Sequence, residues 1–80
     1  MTREAVYEKL NEVFRDVFDD EDICVNDATT SDDIEDWDSL EHINLIVAVE
    51  SAFGMKFTVG EAHSMPNVGA MVDIILQRLA

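Results

Sequence analysis

The sequence predicts an all-α fold, a four-helix bundle with a long loop between helices one and two and a short third helix. Three observations carry this. Apolar residues recur at helical spacing in three separate stretches. Each stretch opens on a Thr, Asp or Asn suited to cap a helix. No stretch shows a strand pattern, and there is no internal repeat. The 80 residues are 48% hydrophobic, enough for a single domain over 1–80 with one core.

Thr2 is placed to cap the first helix, with Glu4 in its first turn. Val6, Leu10, Val13, Phe14 and Val17 follow as one stripe, so the helix is expected over about residues 3–18. Asp19 to Asp38 lacks periodicity and is rich in turn-forming Asp, Thr, Ser and Asn. A connection this long in a compact domain is expected to be ordered and functional. Ile23, Val25, Ile34 and Trp37 are spaced to pin it to the core. Asp38 caps the second helix, Glu41 completes an Asp form of the capping box, and Trp37 staples the first turns. Gly54 suits a left-handed C-cap. Thr58 and Glu61 form a further box that opens a short helix before Pro66. Asn67 caps the last helix, whose stripe is Val68, Met71, Val72, Ile75, Leu76 and Leu79.

The second helix is apolar on two sides. Leu45, Ile46, Val49 and Phe53 form the core face, with His42 one turn earlier on the same side. Leu40, Asn44, Val47 and Ser51 run along roughly the opposite side, and Ile43 lies between the two. A bundle helix needs one buried stripe, so Leu40 and Val47 are free to contact another protein. Isolated surface hydrophobes are common, but here the strip begins beside Ser39 and is ringed by acids.

The net charge is −13, and it is concentrated. From Asp16 to Met55 there are thirteen acids and neither Lys nor Arg, while elsewhere five acids and five bases cancel. Such a field repels nucleic acid and anionic lipid and steers basic surfaces towards it. The longest fully apolar run, Leu45 to Val49, is too short to span a bilayer, and MTREAVYEKL has no apolar targeting core. Cys24 is the single cysteine, so no intrachain disulfide forms, as suits a reducing compartment. The expectation is a cytoplasmic monomer.

Ser39, between Asp38 and Leu40, opens the second helix. Its hydroxyl sits near unpaired backbone N–H groups at the positive end of the helix dipole, where a negatively charged substituent is favoured. A hydrolytic role would pair Ser39 with His42 three residues on, but it also needs an oxyanion hole and a cleft, and no Gly-x-Ser-x-Gly turn is present. A calcium loop fails in register. Starting at Asp27 puts Asp32 at the glycine position and Asp38 at the end, and starting at Asp20 puts Cys24 at a ligand position. His42, His63 and Cys24 lack zinc-ligand spacing, so no metal site is expected.

The Asp38-Ser39-Leu40 tripeptide, the run EHINLIVAVESAFGMKF after it and the closing NVGAMVDII, in an acidic helical chain of this length, resemble the acyl carrier protein family over nearly the whole sequence. The resemblance implies that Ser39 carries 4'-phosphopantetheine, transferred from coenzyme A by a Mg-dependent phosphopantetheinyl transferase. It implies a carrier without turnover of its own, which holds acyl groups as thioesters for an acyl-loading ligase or acyltransferase and for synthase-type enzymes. Glu35, Asp36, Asp38 and Glu41 would then meet basic docking surfaces on these partners, with Leu40 and Val47 at the apolar centre and Asn44 a further partner-binding residue. Ile46, Val49 and Ala62 would line an acyl cleft, and the short third helix would gate it. Asp36-Trp37 stands where carriers of central fatty acid synthesis usually have a small pair, and Asn44 and Ser51 stand where carboxylates are frequent. These departures point to a specialised lipid or polyketide-type pathway. Peptidyl, aminoacyl and D-alanyl carriers share the fold and the modified serine, and a calcium-responsive acidic adaptor is the reading that would not need Ser39.

Overall fold

The computed structural model describes residues 1–79. Among them the regular elements are all helical: α1 Arg3–Phe18, α2 Ser39–Phe53, α3 Val59–His63 and α4 Val68–Leu79, with a 3-10 turn at Ser31–Asp33. Each helix begins where its cap residue dictates. The Thr2 side chain accepts from the Ala5 N–H at 3.1 Å, and the Asn67 side chain accepts from the Ala70 N–H at 2.9 Å. Gly54, at φ 62°, closes α2 in the left-handed conformation that glycine adopts without a Cβ penalty. Thr58 and Glu61 make both halves of their capping box.

The α2 cap differs from expectation in one half. The Asp38 carboxylate accepts from the Glu41 N–H at 2.8 Å, but the Glu41 side chain does not reach back. It accepts instead from the Asn44 amide at 3.3 Å, and the Asp38 N–H donates to the Asp36 carbonyl in a tight turn. That turn supplies the partner that the box would have given.

The core is formed around α1, against which α2 packs most extensively and α4 less so. Val6, Leu10, Val13 and Phe14 from α1 meet Leu45, Ile46, Val49 and Phe53 from α2 and Val68, Met71, Val72 and Ile75 from α4. Val17, Leu76 and Leu79 are only half-buried, whereas Phe18 and Met55, outside the expected stripes, are buried.

The crossover from Asp19 to Asp38 is tied down by side chains of α1. Asn11 Oδ1 accepts from the Val25 N–H at 2.7 Å, and Arg15 Nε donates to the Ile23 carbonyl at 2.8 Å. Val25 is buried, with Ile23, Ile34 and Trp37 packed against the core. Crossover carbonyls in turn cap α4: Thr29 O accepts from the Val68 N–H at 2.8 Å and Asp27 O from the Gly69 N–H at 3.2 Å. Arg3 bridges Asp27 and Asp73 at 2.6 and 2.8 Å, and Tyr7 donates to Asp27. These hydrogen bonds from Tyr7 and Arg3 hold the Asp27 carboxyl below the usual carboxylate range. Partial burial, with the same hydrogen bond to Asp27, pushes Tyr7 up to about 12.

Gly69 is where crossover and α4 meet most closely. A Cβ there would lie 2.9 Å from the Asp27 carbonyl oxygen and 3.1 Å from its Cα. The crossover cannot retreat without losing the two hydrogen bonds that cap α4. Gly69→Ala is therefore expected to lower unfolding stability by about 1–3 kcal/mol, an overpacking cost. Urea unfolding followed by circular dichroism checks this, and a wild-type midpoint would show that the crossover is not held against α4.

Candidate functional site

The start of α2 is presented by the turn before it. Trp37 is anchored in α1 aromatics, edge-on to Phe14 at 5.3 Å and tilted to Phe18 at 6.0 Å between ring centroids. One residue later, Asp38 takes the capping role, its carboxylate on the Glu41 N–H and its carbonyl accepting from the His42 N–H at 2.9 Å. Ser39 is thus the first helical residue, exposed, and relieved of any duty as a cap. A groove of about 410 Å³ opens beside it, walled by Trp37, His42 and Ile43 on one side and by His63, Met65 and Pro66 on the other.

His42 is not free to act on Ser39. Its Nδ1 accepts from the Trp37 indole N–H at 3.1 Å, and its Nε2 lies 2.7 Å from the Ala62 carbonyl oxygen. An imidazole with both nitrogens engaged elsewhere is no general base for the hydroxyl, so the structure removes the hydrolytic arrangement.

Two surfaces flank Ser39. Glu35, Asp36, Asp38 and Glu41 come together with Asp19, Val17 and Phe18 around a depression of about 350 Å³ at the C-terminal end of α1. The four acids singled out from the sequence therefore share one place. On the other flank Leu40, Ile43 and Val47 are 67%, 59% and 59% exposed. Ile43, between the two stripes, is exposed like Leu40 and Val47 and also walls the groove beside Ser39. Val59 on α3, 77% exposed, is a further exposed apolar residue that the sequence reading missed. Asn44 and Ser51 are exposed on α2 as well.

Ile46 and Val49 are buried in the core, and Ala62 is half-buried against it. None of the three walls the groove beside Ser39. The larger hollow on the crossover, about 510 Å³, is bounded by residues such as Asp20, Asp22, Asp33 and Cys24 and contains no predicted site residue. Cys24 is exposed and unpaired.

α3 buries no residue completely. Arg78 of α4 forks onto the Glu61 carboxylate at 2.8 and 2.6 Å and also donates to the Lys56 carbonyl at 3.2 Å. The Arg78 guanidinium, with the Thr58 backbone N–H, holds the Glu61 carboxyl below the usual range.

The chain is 35% identical over 80 residues to an acyl carrier protein of Petrotoga mobilis, covering 99% of this chain and 93% of that protein. The chain belongs to the acyl carrier protein family. A second acyl carrier protein, from Rubrobacter xylanophilus, is 33% identical over 78 residues, covering 96% of this chain and 95% of the relative. The solution structure of a holo acyl carrier protein from Geobacter metallireducens superimposes with a TM-score of 0.86 at 40% identity, over 92% of this chain and 85% of that one. No family model matches the sequence. The helical architecture is therefore that of an acyl carrier protein, long crossover and short α3 included. No described helix of the carrier is long and apolar enough to cross a membrane.

Proposed function

We propose that this acyl carrier protein bears 4'-phosphopantetheine on Ser39 Oγ and presents acyl intermediates to separate enzymes in the cytoplasm, acting as a monomer without turnover of its own. The observation that supports it most is division of labour at the helix start. Asp38 does the capping, which leaves the Ser39 hydroxyl exposed beside unpaired N–H groups of the first turn. Those groups and the helix dipole favour the negative charge of a phosphodiester at that oxygen. The site fits the group: Ser39 is exposed and lines a groove of about 410 Å³. When bound, the arm supplies a terminal thiol for thioester formation. Attachment would form a bond from Ser39 Oγ to the pantetheine-side phosphorus of coenzyme A, break the pyrophosphate P–O bond and release adenosine 3',5'-bisphosphate. The serine proton leaves to a base in the transferase, since His42 is occupied.

The flanks then acquire roles. Glu35, Asp36, Asp38 and Glu41 draw in the basic rim of a transferase, acyl-loading enzyme or synthase, by an attraction that salt weakens. Leu40, Ile43 and Val47 supply the apolar centre of a small, short-lived contact. With Asn44 and Ser51 neutral, α2 itself carries little of the charge, which supports a dedicated carrier for a specialised lipid or polyketide-type pathway. Ile46 and Val49 in the core and Ala62 against it are the residues that would line the cleft for an acyl chain.

The test is an intact mass after incubation with coenzyme A, Mg²⁺ and a broad-specificity transferase. The wild type is expected to gain one phosphopantetheine, and Ser39→Ala none. A wild type left unmodified beside a converted control carrier contradicts the reading.

A further inference from the structure

Given the arm on Ser39, on which this rests, we propose that the His42 ring is a stop between the groove beside that serine and the core, and that it limits the cargo to short acyl groups. Ser39, His42, Ile46 and Val49 stand at i, i+3, i+7 and i+10 on α2, so they follow one another along one side of the helix. A chain led from Ser39 along that side meets His42 one turn before Ile46. The groove ends accordingly: His42 is among its walls, and Ile46, Val49 and Ala62 are not.

His42 is held across the seam between α2 and α3 at both ring nitrogens. An indole N–H only donates, so Nδ1, 3.1 Å from Trp37 Nε1, is the acceptor. The ring proton is then on Nε2 and is donated to the Ala62 carbonyl at 2.7 Å. That carbonyl lies in the last turn of α3, where helix carbonyls lack an intrahelical partner. The indole behind the ring is fixed in turn by Phe14 and Phe18. On its other side α3 is tied to α4 by the Arg78 fork on Glu61. The seam is thus fastened on both sides of α3.

An alkyl chain entering the seam would have to turn the His42 ring out. That would leave the Ala62 carbonyl and the Trp37 N–H without partners in a half-buried place, and methylene groups replace neither bond. Beyond the stop, Ile46 and Val49 are buried in the core, where added volume costs packing strain. Cargo therefore stays outside the core. The walls it meets there include the polar side chains of Thr30, Ser31, His63 and Asn67, which give a hydrocarbon little cover. A short acyl group exposes little apolar surface in that position, and every further methylene adds to it.

The test uses the full chain, loaded by a broad-specificity transferase from butyryl- or decanoyl-coenzyme A and checked by intact mass. In the wild type, methyl shifts of Ile46 and Val49 should be the same in the butyryl and decanoyl forms, and retention on a hydrophobic column should rise with the longer chain. In His42→Ala, the decanoyl form alone should shift both residues and lose that extra retention. Decanoyl-dependent shifts in the wild type, or none in His42→Ala, overturn the stop. Should His42→Ala not fold, the wild type decides alone: equal methyl shifts with the longer retention support the stop, and decanoyl-dependent shifts overturn it. A wild type that gains no mass overturns the Ser39 reading and the stop with it, whereas a full gain with decanoyl-dependent shifts overturns the stop only.

Discussion

Val47→Glu is expected to cut transferase kcat/KM by roughly ten- to a hundredfold, or about 1.4–2.7 kcal/mol, with the helical circular dichroism spectrum unchanged. Val47 is 59% exposed and makes no part of the core, so the folded chain tolerates a carboxylate there within about 0.5 kcal/mol. Docking does not. The strip of Leu40, Ile43 and Val47 is the apolar patch nearest Ser39, and a partner that covers it would bury the new charge without a counter-ion. The loss should persist at high salt, because it comes from desolvation and not from long-range attraction. A comparable loss of kcat/KM on neutralising Glu35 and Asp36 should instead resemble the effect of added salt. An unchanged rate for Val47→Glu would show that partners approach Ser39 from another side. A lost helical spectrum would make Val47 structural.

The second large effect concerns the fold that holds the serine in place. Phe14→Ala should cost about 3–5 kcal/mol of unfolding stability. Phe14 is completely buried, edge-on to Trp37 and 5.9 Å from Phe18 between centroids. Its truncation removes packing from α1 and support from the residue that precedes the α2 cap. An 80-residue domain has roughly 4–12 kcal/mol in all, so the variant should approach the edge of folding. Urea unfolding with circular dichroism measures it, and a loss under about 1 kcal/mol would mean that the aromatic cluster is not the anchor of the crossover.

What could be read in the sequence was local. Thr2, Asp38, Thr58 and Asn67 each mark a helix start because the cap uses a side chain and an N–H three residues apart, and Gly54 marks an end for a backbone reason. The core faces of α2 and α4 followed from periodicity alone. The crossover's pinning residues were visible as apolar punctuation, but its hydrogen bonds to Asn11 and Arg15 were not, since nothing in a one-dimensional pattern pairs residues 14 or 8 apart. The 3-10 turn escaped notice although Thr30 and Asp33 form a capping box of their own, the shorter Asp standing where Glu is usual.

At the site, Ser39 and its four acidic neighbours could be picked out because they are close in sequence as well as in space. Ile43 was harder. A residue between two stripes can be covered or left open, and periodicity alone does not show that Ile43 stays exposed. The link from His42 to the Ala62 carbonyl was beyond sequence reasoning, because backbone acceptors carry no residue-type signal. His42 was legible only as a residue on the core side of α2.

The central claim is that the Ser39 hydroxyl is a point of covalent attachment. Tandem mass spectrometry of the peptide spanning residues 35–56, from protein isolated from its own cells, tests it most directly. The account predicts a phosphopantetheine ester on Ser39, with or without an acyl group on its sulfur. That peptide recovered always unmodified, or carrying the group on Ser51, would contradict it.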